Sequence, residues 1–249
     1  QREEVEPVRP SAVPRTRRAA NDKLKLAWNM AALSRRQLLS AAPILLTGRR
    51  RPPNVLVIMS DQHQRAASGC YGHPDVRTPN LDRLARNGLL FERAYCPAPV
   101  CVPSRGSLIT GLYPHAHGAR ILRDPLPAEI PTIAHFFKER GYATGAIGKM
   151  HFVDETLRHG FDYRLYHDDF FKTLTTEERQ RLQQDQGAPG DVIGRPSSLP
   201  ERFFRDHWYA ERTVEYLRAH RNQPFLLWCS FYKPHTPLVP LRRFFELYD

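Results

Sequence analysis

Three short apolar runs, each closing on ionisable residues, constrain this chain more than its composition does. Asn54-Val55-Leu56-Val57-Ile58-Met59 runs into Ser60-Asp61-Gln62-His63. The weaker run Tyr142–Gly148 leads into Lys149-Met150-His151, and the strong run Pro224–Tyr232 into Lys233-Pro234-His235. Continuous apolar runs of this length suit strands covered on both faces. Helical spacing fills the intervals, over Leu81–Leu89, Thr132–Arg140 and Asp206–His220, where Ala210, Val214 and Leu217 share a face. Alternation of this kind predicts an α/β fold with a mostly parallel or mixed sheet flanked by helices.

In open parallel sheets, ligands sit beyond the carboxyl ends of the strands. All three strand ends here carry polar chemistry, so a site built across that edge is expected. Extended backbone puts residues two apart on one face, which pairs Lys149 with His151 and Lys233 with His235. Pro234 supports extension at Lys233 by disfavouring the helical region there. Taken singly, each residue has a plainer role: Asp61 as a helix cap, the lysines as solvated charges, the histidines as hydrogen-bonded loop residues. His63, His73, His115 and His117 are read in that plainer way.

The net charge of +11 is concentrated at one end. Residues 1–53 hold twelve Lys/Arg against four Asp/Glu, and the rest hold 25 against 22. A nearly balanced body with a basic tail is no nucleic-acid footprint. Cys70, Cys96, Cys101 and Cys229 show neither CxxC nor zinc-finger spacing and are too few for a disulfide scaffold. No apolar run reaches the roughly 18 residues of a membrane span.

Residues 1–53 read as a disordered extension, rich in charge and proline until a short apolar stretch near its end. Within residues 30–48, Ser34-Arg35-Arg36-Gln37-Leu38-Leu39 resembles a twin-arginine export signal. Such a signal implies a periplasmic or secreted protein, and its absence a cytoplasmic one. Translation from Met30 would leave residues 1–29 as an over-extended frame.

The most specific stretch is Cys101-Val102-Pro103-Ser104-Arg105-Gly106-Ser107-Leu108-Ile109-Thr110-Gly111. It resembles the signature of the sulfatases in the alkaline-phosphatase-like superfamily: C-x-P-S-R, three residues, an aliphatic residue and Thr-Gly. Asn54–Gln62, Gly148–His151, His159-Gly160-Phe161-Asp162 and Phe231–Pro237 match the same family in order. The resemblance therefore spans nearly everything from Asn54 onward, and residues 54–249 are expected to be the N-terminal portion of a sulfatase catalytic domain.

Membership implies that a formylglycine-generating enzyme oxidises Cys101 to Cα-formylglycine, with Cys-x-Pro-x-Arg as its recognition core. That would explain a cysteine with no histidine nearby in sequence. The hydrated aldehyde is a geminal diol; one hydroxyl attacks sulfur, and deprotonation of the other expels sulfate and restores the aldehyde. The resemblance also implies Ca2+ or another divalent cation, with Asp61, residue 101 and Gln62 as metal ligands. Arg105 would stabilise the formylglycine, Lys149 bind a sulfate oxygen and His151 take the diol proton. His235, with Lys233, would contact sulfate and help protonate the leaving oxygen. A helix over Ser104–Leu112 would aim its positive end at the anion. The substrate class is a sulfated small molecule or glycan.

Two departures shape the expectation. Many sulfatases carry two adjacent aspartates where this chain has Asp61-Gln62, a variant shared with phosphonate and choline-sulfate hydrolases. The family's later Asp-Asn or Asp-His ligand pair and its further lysine would lie beyond Asp249. The competing readings are a phosphonate monoester or phosphodiester hydrolase of the same superfamily, and an inactive truncated fold that only binds.

Overall fold

A computed structural model describes residues 51–186 and 194–248. In chain order its elements are β1 (Val55–Met59), α1 (Pro79–Asn87), α2 (Cys101–Thr110), α3 (Pro114–His117) and α4 (Ile133–Lys138). There follow β2 (Ala143–Gly148), β3 (Tyr163–Leu165), α5 (His167–Lys172), α6 (Thr176–Gln186), α7 (Arg205–Ala219), β4 (Phe225–Ser230) and α8 (Arg242–Phe245). The sheet order is β1-β4-β2-β3, and every pairing is parallel. The expected extension and twin-arginine segment lie outside the described residues, apart from 51–53. Among the described residues no helix is long and apolar enough to cross a membrane.

Strand parity sorts the core into two layers. Val57, Leu226, Trp228 and Ala146 face Ile109 of α2 and Ala134 of α4. On the opposite face, Leu227, Phe225 and Ile147 pack against Tyr209 and Tyr216 of α7. A third cluster of Phe170, Leu174, Leu182, Leu199 and Phe203 joins α5 and α6 to the segment before α7. The strand β4 is buried at all six positions, as its unbroken apolar run predicts.

The edge strand β1 departs from that expectation. Leu56 is 41% exposed and Ile58 57%, although Val55, Val57 and Met59 pack on the core. The reason is position: α7 covers β2 and β4, and β1 lies beyond it at the rim.

Two further expectations change. The helix behind the signature begins at Cys101, not Ser104, because Pro103 falls in the first turn, where no intrahelical N–H bond is needed. It ends at Gly111 in the left-handed region (φ 70°), whose N–H bonds Ser107 O at 2.8 Å. The two extended Lys-x-His segments are also not extended. β2 stops at Gly148 and His151 has φ 57°. After β4 the chain turns, with His235 N–H donating to Tyr232 O and a cis Lys233-Pro234 bond.

Candidate active site

The carboxyl ends of β1, β2 and β4 meet the N-terminus of α2. Cys101 is the first residue of α2, after Val100 in extended conformation, and Ser104 N–H is the donor to Val100 O at 2.9 Å. The N–H groups of residues 101 and 102 lie ahead of that bond and have no intrahelical acceptor. They add partial positive charge where the Cys101 side chain emerges.

Around Cys101 Sγ, Asp61 Oδ1 and Lys149 Nζ each lie at 3.8 Å. Lys149 Nζ donates to Asp61 Oδ2, and Arg105 Nη2 lies 3.8 Å from the same oxygen. All three charged side chains are nearly buried, with Arg105 only 1% exposed. Arg105 Nη1 donates to Lys149 O and, at 2.9 Å, to Ser230 Oγ. Its Nη2 is buried without a hydrogen bond. Burial pulls the Arg105 pKa down, and the neighbouring Asp61 and then Cys101 act to raise it. Ser230 is a functional neighbour that sequence reasoning passed over; only its place at the end of an apolar run could have marked it.

Two histidines complete the cluster. His151 Nδ1 is buried without a partner. Burial first, then the Lys149 and Arg105 cations, hold the His151 pKa below its ordinary value. The imidazole is therefore neutral near pH 7 and able to accept a proton. His235 Nδ1 lies 2.7 Å from Thr236 O and donates to it, which leaves Nε2 with its lone pair in the neutral ring. The donor atoms of Asp61, Cys101 and His235 lie within 4.8 Å of one another.

Lys233 and Gln62 stand apart. Lys233 Nζ donates to the carbonyls of Pro237 and His235, and its pKa falls to about 8, mainly through burial and then through Arg205. Gln62 is exposed and holds φ 59° on the loop after β1. Of the plainer histidines, His117 is 1% exposed, accepts from Ala119 N–H and bonds Ser107 Oγ at 3.1 Å, tying α3 to α2. His63 bonds Ser60, Ala67 and Ser68, and His73 accepts two backbone N–H groups.

The cluster holds more positive than negative charge. Asp61 faces Arg105, Lys149 and two imidazoles, and an unused Arg105 donor points to an oxygen still to be bound. Of the three grouped donors, Asp61 offers the carboxylate oxygen a hard cation prefers, while Cys101 offers a soft thiol and would have to carry an oxygen instead to serve such an ion. A shell of roughly six to eight oxygens would need more donors than these.

Several known proteins are similar to this chain. The family profile described as Sulfatase matches residues 53–248. An arylsulfatase of Clostridium perfringens is 31% identical over 221 residues, covering 79% of this chain and 46% of its own length. The steryl-sulfatase of Mus musculus is 40% identical over 154 residues, covering 53% of this chain and 25% of its own length. The chain thus spans under half the length of these curated relatives. Among solved structures, the phosphonate monoester hydrolase of Agrobacterium radiobacter has a TM-score of 0.64 at 24% identity, over 80% of this chain and 44% of that one. At that identity the likeness concerns the fold alone.

Proposed function

This chain belongs to the sulfatase family, and from that premise we propose that it carries the nucleophile end of a sulfuric ester hydrolase acting on sulfate monoesters. The observation that carries the reading is Cys101 at the head of α2, 3.8 Å from both Asp61 and Lys149, within the C-x-P-S-R motif. Residues 54–249 would then be the N-terminal portion of the catalytic domain. Oxidised by a formylglycine-generating enzyme and hydrated, residue 101 supplies one hydroxyl to attack sulfur and a second to release sulfate. Asp61, an oxygen on residue 101 and, if its exposed side chain turned inward, Gln62 would hold a divalent cation such as Ca2+, which would supply positive charge against the sulfate oxygens.

The remaining roles follow from geometry and charge. Lys149, already against Asp61, binds a sulfate oxygen and offsets charge as it spreads in the transition state. Arg105 turns its free Nη2 to the oxygen on residue 101. His151, kept neutral, takes the proton from that residue. His235, once its free Nε2 has taken up a proton, contacts sulfate through that N–H and passes the proton to the leaving alcohol oxygen. Lys233 fixes the His235 loop through two carbonyls and borders the substrate from the adjoining cavity. Sulfated small molecules and glycans are the substrate class. Export by the twin-arginine route, read from Ser34–Leu39, belongs to the same proposal, and an intact residue 1 in the mature protein would remove it.

The test is production of the full-length protein with a formylglycine-generating enzyme. Mass spectrometry of the Cys101 peptide should show the aldehyde, and an aryl sulfate should be hydrolysed. Cys101→Ser should lower turnover by at least about 100-fold, the cost expected when a positioned catalytic group is lost. Undiminished turnover in that variant would remove the mechanism. Gln62 beside Asp61 favours a second reading, a phosphonate monoester or phosphodiester hydrolase. It would be preferred if kcat/KM on phenylphosphonate esters exceeded that on the aryl sulfate.

A further inference from the structure

Beside the nucleophile cluster lies a cavity of about 180 Å3, bordered by Lys149, His151, Tyr166, Arg205, Tyr209 and Tyr232. Arg205, the first residue of α7, also borders a second cavity of about 320 Å3 whose other walls include Phe170, Phe171, Phe203, Arg179 and Lys233. One side chain thus links the two spaces.

The Arg205 guanidinium lies 3.8 Å above the Tyr232 ring, which also receives Lys149 Nζ at 4.4 Å. Tyr232 therefore spaces the two cations and fixes both. Apart from that ring, Arg205 has no hydrogen-bond or carboxylate partner among the described residues. The carboxylates that could neutralise it are committed elsewhere. Asp206 accepts the backbone N–H groups of Tyr232 and Lys233, each at 2.7 Å. Glu155 is paired with Arg164, and Asp168 with His167. The nearby Lys233 amine is already bonded to two carbonyls.

A planar group with five N–H donors, stacked in place and lacking a counterion, is suited to bidentate binding of a carboxylate or sulfate. Lys149 cannot serve the same group, since the proposed chemistry places the reacting sulfate on it. We propose that Arg205 is a specificity-determining residue that binds a second anionic group, a sulfate or carboxylate on the alcohol part of the substrate, in the cavity it shares with Lys149 and His151. This rests on the sulfatase reading for its link to turnover, while the anion site itself is a property of this chain. Substrates bearing two acidic groups would be favoured over those with a single sulfate.

Inorganic sulfate is a suitable probe, because it fits both positions without requiring a particular spacing. Equilibrium dialysis of the whole chain against radiolabelled sulfate should reveal two sites. Arg205→Gln should remove one and leave the affinity of the other within about twofold. Arg205→Lys, which keeps the charge but not the fork, should retain the second site at weaker affinity. A single site in the parent, a second site that survives Arg205→Gln, or loss of both sites in that variant would overturn the proposal. Turnover is a separate measurement: two bound sulfates, with no sulfate ester hydrolysis by the full-length protein produced with a formylglycine-generating enzyme, would remove the sulfatase reading and leave the second anion site standing.

Discussion

Lys233 shows how a single residue can mislead when its backbone is read as extended. The spacing to His235 suggests two side chains aimed together, yet the turn after β4 folds the amine back onto the carbonyls of His235 and Pro237. Its lowered pKa, about 8, has a thermodynamic consequence. An unfolded lysine titrates near 10.4. Between these values the unfolded chain binds more protons than the folded one, so this residue's contribution to stability rises with pH through that window and is flat below it. Urea unfolding at pH 7.5 and pH 9.5 should show the parent gaining stability relative to Lys233→Met. A constant difference between the two proteins would mean that Lys233 titrates normally. At this scale the Cys101, Asp61, Lys149 and His151 cluster was legible, because strand ends and one long motif marked it. Arg205, Asp206, Ser230 and Tyr232 were not, since nothing in a linear pattern says which helix start will reach a strand end.

The strand β2 and its exit show why elements rather than motifs fix the site. Gly148 has φ 98°, and a Cβ there would lie 2.0 Å from Ser230 O. Lys149 N–H meanwhile donates to the same carbonyl at 2.9 Å, so β2 hands Lys149 to the site while touching β4. Side-chain strain in the left-handed region and a clash with backbone act together at this position. Gly148→Ala should lose about 3 kcal/mol or more of stability, judged by the sizes of overpacking and backbone-strain effects. Chemical denaturation measures it, and a loss under about 1 kcal/mol would show that β2 and β4 can separate at no great cost. The positions of β1, β2 and β4 were legible to within a residue or two because their apolar runs are distinctive, whereas the three-residue β3, Tyr163–Leu165, is too short and too polar to have been read. The start of α2 was not, because a proline three residues into a helix looks like a boundary and is in fact tolerated there.

At the scale of the whole molecule, the sheet has one well-covered side and one open rim. All of β4 is buried, but β1 pairs only with β4 among the described residues and presents Leu56 and Ile58 outward. An edge strand with unpaired backbone groups and exposed apolar side chains is a template for association with another chain. The part of the chain that carries the rim does little to oppose this, since from residue 54 onward the charge is nearly balanced and most of the net +11 lies in residues 1–53. The 249-residue chain should therefore self-associate as its concentration rises. Ile58→Lys places a charge on the rim without touching the layer formed by Val55, Val57 and Met59, so folding stability should change by less than about 0.5 kcal/mol, as for an exposed site. Sedimentation velocity across a tenfold concentration range separates the outcomes. A parent that stays monomeric would show the rim to be covered in solution, and an Ile58→Lys protein that associates as strongly as the parent would place the contact elsewhere. This rim effect is also where sequence reading reaches its limit. The apolar run of β1 looks like that of β4, and only the order of strands in the folded sheet decides which of the two is enclosed.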